Sequence, residues 1–122
     1  MRVKKLNKSF AVPVLKKLNF ELREGEVHAL LGSNGAGKST LCNIISGIHT
    51  ADSGDFEFSG SNYTPSSLQK AESMGICMVM QELNLFPTLS VAENLFFRSM
   101  SDRFGIVKHQ VIQKRAKKAL ET

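Results

Sequence analysis

Residues 30–40 read LLGSNGAGKST: an apolar pair, three glycines at Gly32, Gly35 and Gly37, then Lys38, Ser39 and Thr40. Gly32, Gly37, Lys38 and Ser39 satisfy the spacing G-x-x-x-x-G-K-[ST], lodged between an apolar segment and an amphipathic one. Residues without a Cβ let such a loop curl until backbone N–H groups from Asn34 to Thr40 converge on anionic oxygens, and the helix that follows adds its positive end. Lys38 then supplies a mobile charge for the β and γ phosphates, the Ser39 hydroxyl completes a Mg²⁺ shell, and Thr40 adds an α-phosphate contact. Ser33 and Ala36 occupy variable positions of the same loop. A dinucleotide-binding turn does not fit, because Thr40 stands where G-x-G-x-x-G needs its third glycine, and Lys38 would then have no purpose.

Outward from this loop, strand and helix signals alternate, which predicts an α/β fold. EVHALLG (26–32) is dense in apolar residues, as a strand buried on both faces would be. KSTLCNIISG (38–47) places Leu41, Ile44 and Ile45 on one helical face, with Gly47 at the C-terminal cap. Upstream, MRVKKL and LNFEL alternate apolar and polar residues, a pattern for half-exposed antiparallel strands. ADSGDFEFSG (51–60) reads as turn, short strand, turn. Thr64 before Pro65 predicts a helix start leading through SSLQKAES to a second buried strand, GICMVMQ (75–81). Ser90 and Glu93 form a capping box before VAENLFF, and in the last segment Val107, Val111, Ile112, Ala116, Ala119 and Leu120 share one helical face.

Composition narrows the class. The chain has 122 residues, 42% of them hydrophobic, enough for one modest core. No leader pattern opens it, and its longest apolar runs fall far short of the roughly 20 residues that span a bilayer. Cys42 and Cys77 sit in apolar segments without metal-ligand spacing and are expected to be buried and reduced. His28, His49 and His109 likewise lack ligand spacing and read as partly exposed side chains. The net charge of +5 lies largely at the two ends, without the interleaved aromatics of a nucleic-acid surface, so no nucleic-acid partner is expected.

GEVHALLGSNGAGKSTL, then SGI and ADSG, then GICMVMQELNLFPTLSVAENLFF, together resemble the N-terminal ATP-binding domain of sugar-type ABC importer ATPases, the ribose and galactose class. With ADSG and NY, the same residues are also similar to ATPases of autoinducer-2 importers. The resemblance covers nearly the whole chain. It implies the P-loop NTPase core of an ABC ATPase with N-terminal antiparallel strands: a strand-rich core carrying the P-loop and Q-loop in about residues 1–87, and the start of the helical subdomain in about 88–122.

Gln81 matches the Q-loop glutamine that contacts Mg²⁺, positions attacking water and reports nucleotide state to the membrane subunits. Phe10 matches the aromatic on which adenine stacks. Leu83, Leu85 and Phe86 are candidates for gripping a transmembrane permease subunit, with packing against the following helix as the equal alternative.

Family members commonly carry Glu where this chain has Ser33, which affects fine tuning only. No LSGGQ-type signature, Walker B Asp-Glu or switch histidine occurs, so the resemblance implies the first, truncated part of an ATPase. Such a chain is expected to bind ATP and Mg²⁺ but, without the general base, to hydrolyse ATP poorly alone.

Implied partners are permease subunits, a second ATP-binding domain and, indirectly, a periplasmic or extracellular solute-binding protein, at the cytoplasmic face of the membrane. A non-transport ABC ATPase acting on ribosomes or DNA fits less well, because no long heptad run follows the Q-loop. A P-loop kinase fits less well too: its lid needs arginines, and after Lys38 the first are Arg98 and Arg103.

Overall fold

Alternation near the N-terminus produces a hairpin, β1 (Arg2–Ser9) and β2 (Pro13–Glu21), paired antiparallel from Arg2↔Glu21 to Ser9↔Pro13. Pro13 can open β2 because that strand lies at the sheet edge, where a missing N–H costs no ladder bond. On its other side β1 pairs antiparallel with β3 (Ser53–Phe58), and β3 with the short β4 (Ser61–Asn62), so the order is β2-β1-β3-β4. This computed structural model describes residues 1–81, 85–97 and 109–121.

Val3 has Phe20 beside it on one strand and Phe56 on the other. Val3, Leu6, Leu15 and Phe56 form one side of a buried core. The other side comes from Leu41 and Ile44 of α1 (Lys38–Ile45), Tyr63, and Ala71 of α2 (Leu68–Ser73). Tyr63 is fully buried, and its hydroxyl donates to the Ile45 carbonyl at 2.6 Å. Burial raises its pKa above the ordinary tyrosine range.

Helix ends follow local chemistry. At the C-terminus of α1 the Gly47 N–H donates to Ile44 O (3.1 Å) and the Ile48 N–H to Asn43 O (2.8 Å), a Schellman closure. Gly47 adopts φ +76°, and a Cβ there would lie 2.6 Å from Ser67 O. The start of α2 departs from expectation: Ser67, not Thr64, is the cap, its hydroxyl accepting from Lys70 N. Ser67 is the residue whose hydroxyl reaches the N–H three positions on, at Lys70.

The chain divides into two compact units, Met1–Val79 and Met80–Thr122. In the second, α3 (Val91–Phe96) begins with the expected capping box. Hydrogen bonds from Ser90, then the His109 ring, hold the Glu93 carboxyl below its usual range. In α4 (His109–Leu120), Ile112 and Ala116 are buried, while Val111, Ala119 and Leu120 of the same expected face are exposed. Val107 lies outside the described residues.

Two predicted strands are not found as ladders. Residues 26–32 and 76–81 have no strand assignment, and Val27, Leu31 and Val79 are 98%, 92% and 92% exposed. Burial on both faces requires neighbouring strands and covering helices, and the four-stranded sheet includes neither segment. For the same reason Cys77 is exposed rather than buried, and Cys42 is half-buried on α1. Met80, in the segment expected to be a buried strand, is also exposed.

Candidate functional site

The glycine loop ends where α1 begins. Gly37 is the N-cap of α1, in the left-handed region at φ +87°, ψ +5°. A Cβ there would lie 2.5 Å from Cδ2 of the buried Leu15 and 3.4 Å from Cγ1 of Val14, so glycine also lets the loop sit directly on β2. Because the cap is glycine, no side chain accepts a hydrogen bond from the helix start, and no acidic residue stands in the first turn. The leading N–H groups of a helix have no intrahelical acceptor, so this end presents uncapped donors and an unneutralised dipole.

Lys38 curls back over the loop. Its Nζ donates to the carbonyl oxygens of Gly32 (2.7 Å) and Ser33 (2.8 Å). A turn bond from the Ala36 N–H to Ser33 O (3.2 Å) closes the intervening residues. The ammonium is thereby held against the loop at Gly32 and Ser33, and Ser39 is exposed in the first turn of α1. This set of groups fits a phosphate chain with Mg²⁺: backbone donors for oxygens, one cation for charge and one hydroxyl for the metal.

Phe10 occupies the tip of the β1–β2 hairpin and is 53% exposed. Lys8 Nζ stands 5.2 Å from the centre of its ring, and the His49 ring meets it edge to face at 5.3 Å. Gln81 belongs to the second unit and is exposed at a bend. Leu85 and Phe86 are also exposed, and Phe86 stacks on Phe97 at 4.4 Å. Leu83 lies outside the described residues. Asn94 organises this loop: its Oδ1 accepts from the Phe86 N–H (2.8 Å), and its Nδ2 donates to the carbonyls of Phe86, Leu89 and Ser90 (3.1 Å each).

Sequence reasoning missed the residues that shape the hairpin. The β1–β2 register shifts several times, and Lys5 and Lys17 take φ +50° and +48°. Their N–H groups are satisfied by side chains, Lys5 N–H by Asn19 Oδ1 and Lys17 N–H by Asn7 Oδ1, both at 2.9 Å. Asparagine inside an alternating strand pattern was the available signal, because it is depleted in regular strands and suits bulges.

Comparison with known proteins fits this arrangement. The ABC transporter family profile matches residues 15–122. The chain belongs to the ABC transporter family. Among ABC transporter proteins, it is 47% identical over 117 residues to the ribose import ATP-binding protein RbsA of Chromobacterium violaceum, covering 95% of this chain and 23% of that protein. It is 43% identical over 117 residues to the galactofuranose transporter ATP-binding protein YtfR of Escherichia coli, with the same coverage of 95% and 23%.

Two solved ABC structures share the fold. One is cbiO1 from Clostridium perfringens, part of the ABC transporter complex cbiONQ, with TM-score 0.70, 30% identity, and 98% of this chain and 48% of that one covered. The other is a dimeric ATP-binding cassette in a post-hydrolysis state bound to ADP and Pi, with TM-score 0.69, 27% identity, and coverage of 98% and 55%. The chain thus spans about a quarter of the length of the curated relatives it matches.

Proposed function

We propose that this chain is the ATP-binding part of the energy-coupling subunit of an ABC importer for sugars or sugar-like solutes. The observation that carries the proposal is the start of α1: a glycine-capped helix with no acidic neighbour and a lysine ammonium folded over the preceding loop. Likeness to a ribose import protein and a galactofuranose transporter protein supports the solute class.

In this reading the N–H groups from Asn34 to Thr40, that of Ala36 once released from Ser33 O, hold the phosphates and Lys38 neutralises their charge. Freed from Gly32 O and Ser33 O, the Lys38 ammonium exchanges two neutral acceptors for anionic ones. Ser39 and, by the family resemblance, Gln81 would hold Mg²⁺, which when bound would supply charge stabilisation at phosphoryl oxygens. The Phe10 ring stacks on the base. Leu83, Leu85 and Phe86 meet a transmembrane permease subunit, and Gln81 links nucleotide state to that contact.

Among the described residues no helix is long and apolar enough to cross a membrane; attachment at the cytoplasmic face through the permease is part of the importer reading. A second ATP-binding domain completes the working assembly, and a solute-binding protein delivers cargo to the permease.

Titration of the full chain with labelled ATP tests the assignment. Lys38→Ala should weaken binding about tenfold to hundredfold, the equivalent of about 1.5–3 kcal/mol for a charge-assisted contact. Equal affinity in both proteins would overturn the reading.

A further inference from the structure

The ADSG stretch has no role in the phosphate cradle, yet Asp52 within it is fastened to the hairpin tip at three points. Its carboxylate accepts the Ser9 N–H at 2.6 Å and Lys8 Nζ at 2.9 Å, and its own N–H donates to Asn7 O at 3.0 Å. Ser9 and Lys8 are the two residues that precede Phe10. The Lys8 side chain is 13% exposed and stands between the carboxylate and the Phe10 ring, 5.2 Å from the ring centre. The same loop that carries Asp52 carries His49, whose ring borders Phe10.

A hairpin tip is ordinarily the most mobile part of a hairpin, and a half-exposed aromatic on it loses affinity for a stacking partner to the entropy of ordering. Asp52 removes that freedom from the two residues before the ring and holds the ammonium that stands 5.2 Å from the ring centre. The ion pair with Lys8 also offsets the charge that would otherwise sit uncompensated beside a partly covered ring. The depressed pKa of Asp52, caused first by Lys8 and then by the Ser9 N–H, is in keeping with a carboxylate ionised throughout the physiological range.

We infer that Asp52 is a positioning residue for the base of the nucleotide, acting through Lys8 and Ser9 on Phe10, and so contributes to the preference for a nucleoside triphosphate over a bare triphosphate. The inference rests on the proposed stacking of the base on Phe10. It assigns Asp52 no contact with phosphate, Mg²⁺ or base.

The test is equilibrium binding of ATP and of inorganic triphosphate, each with Mg²⁺, to the full chain as wild type, Phe10→Ala, Asp52→Ala and the double variant. Phe10→Ala should lower ATP affinity at least about fivefold while triphosphate affinity changes less than about twofold. Asp52→Ala should reproduce that selective loss at about threefold to fivefold, and in the Phe10→Ala background it should add nothing to the selectivity.

A ratio of ATP to triphosphate affinity that falls in Phe10→Ala but not in Asp52→Ala overturns the inference and leaves base stacking intact. Selectivity losses that multiply in the double variant also overturn it, because they place Asp52 on a path that does not pass through Phe10. A ratio unchanged in Phe10→Ala removes the stacking reading and the role of Asp52 with it. Asp52→Asn keeps an acceptor for the Ser9 N–H and loses only the charge, so its selective loss should lie between wild type and Asp52→Ala. Should Asp52→Ala fail to fold, Asp52→Asn decides in its place, a wild-type ratio counting against the inference.

Discussion

β1 and residues 26–32 differ in a direction opposite to their composition. In RVKKLNKS only Val3 and Leu6 are apolar, and both are essentially inaccessible to solvent; EVHALLG is far richer in apolar residues, and Val27 and Leu31 are almost fully exposed. The difference lies in neighbours. β1 has β2 on one edge, β3 on the other, and α1 and Tyr63 over the buried face, whereas residues 26–32 stand outside the ladder. Apolar density states what a segment needs, and pairing decides whether the need is met.

Truncating the two segments in the full chain breaks or sharpens that contrast most directly. Leu6→Ala should lower the unfolding free energy by about 2–5 kcal/mol, as loss of a buried leucine does, and Leu31→Ala should change it by less than about 0.5 kcal/mol. Chemical denaturation measures both. A cost for Leu31→Ala equal to that of Leu6→Ala would show that residues 26–32 are covered by structure this sheet does not include.

The contrast extends to two glycines of the loop. Gly37 lies against buried Leu15 in a left-handed conformation, while nothing lies within 4 Å of a Cβ at Gly35, whose φ is +82°. Gly37→Ala should destabilise by about 1–3 kcal/mol through strain and overpacking together, and Gly35→Ala by about 1 kcal/mol through backbone strain alone. Thermal unfolding that ranks Gly35→Ala as the more damaging would mean that contact with β2 is not what Gly37 serves.

On the covered side of the sheet, Tyr63→Phe removes the hydroxyl that meets Ile45 O and should cost about 1 kcal/mol. An ultraviolet titration should also find the Tyr63 phenol ionising above the ordinary tyrosine range, as its burial requires. Normal titration would show that the Tyr63 hydroxyl is not buried against Ile45 as described.

The smallest effect concerns pH. The Asp52 pKa is lowered in the fold, so its stabilisation of the hairpin tip is fully present above the unfolded aspartate value and is lost as pH falls through the folded one. The Ser9 amide resonance should therefore shift with a midpoint below the ordinary range of roughly pH 4. A midpoint at or above that value would show the tip unclamped.

Much of the local structure was legible because it depends on neighbours in sequence. Ser90 and Glu93 announce the start of α3 three residues apart, Gly47 closes α1 by backbone bonds to Asn43 and Ile44, and alternation around Val3 and Phe20 predicts the β1–β2 pairing. Asn7 and Asn19 hinted at irregular strands, but not at bulges at Lys5 and Lys17, because each asparagine completes a bulge on the opposite strand. The start of α2 was misplaced because Thr64-Pro65 and Ser67 are both good helix openers, and only the hydrogen bond to Lys70 N distinguishes them.

The sequence by itself determined the proposed phosphate cradle, since curling the loop and presenting N–H groups need only Gly32, Gly37, Lys38 and Ser39 in their order along the turn that opens α1. Tertiary structure alone decided three other matters. It set Gly37 against Leu15, fastened Asp52 to Ser9 and Lys8 beside Phe10, and left Val27, Leu31 and Val79 outside the sheet. Each depends on residues far apart in the chain, and the free energy of such contacts comes from which surfaces meet, a quantity that no spacing along the chain encodes.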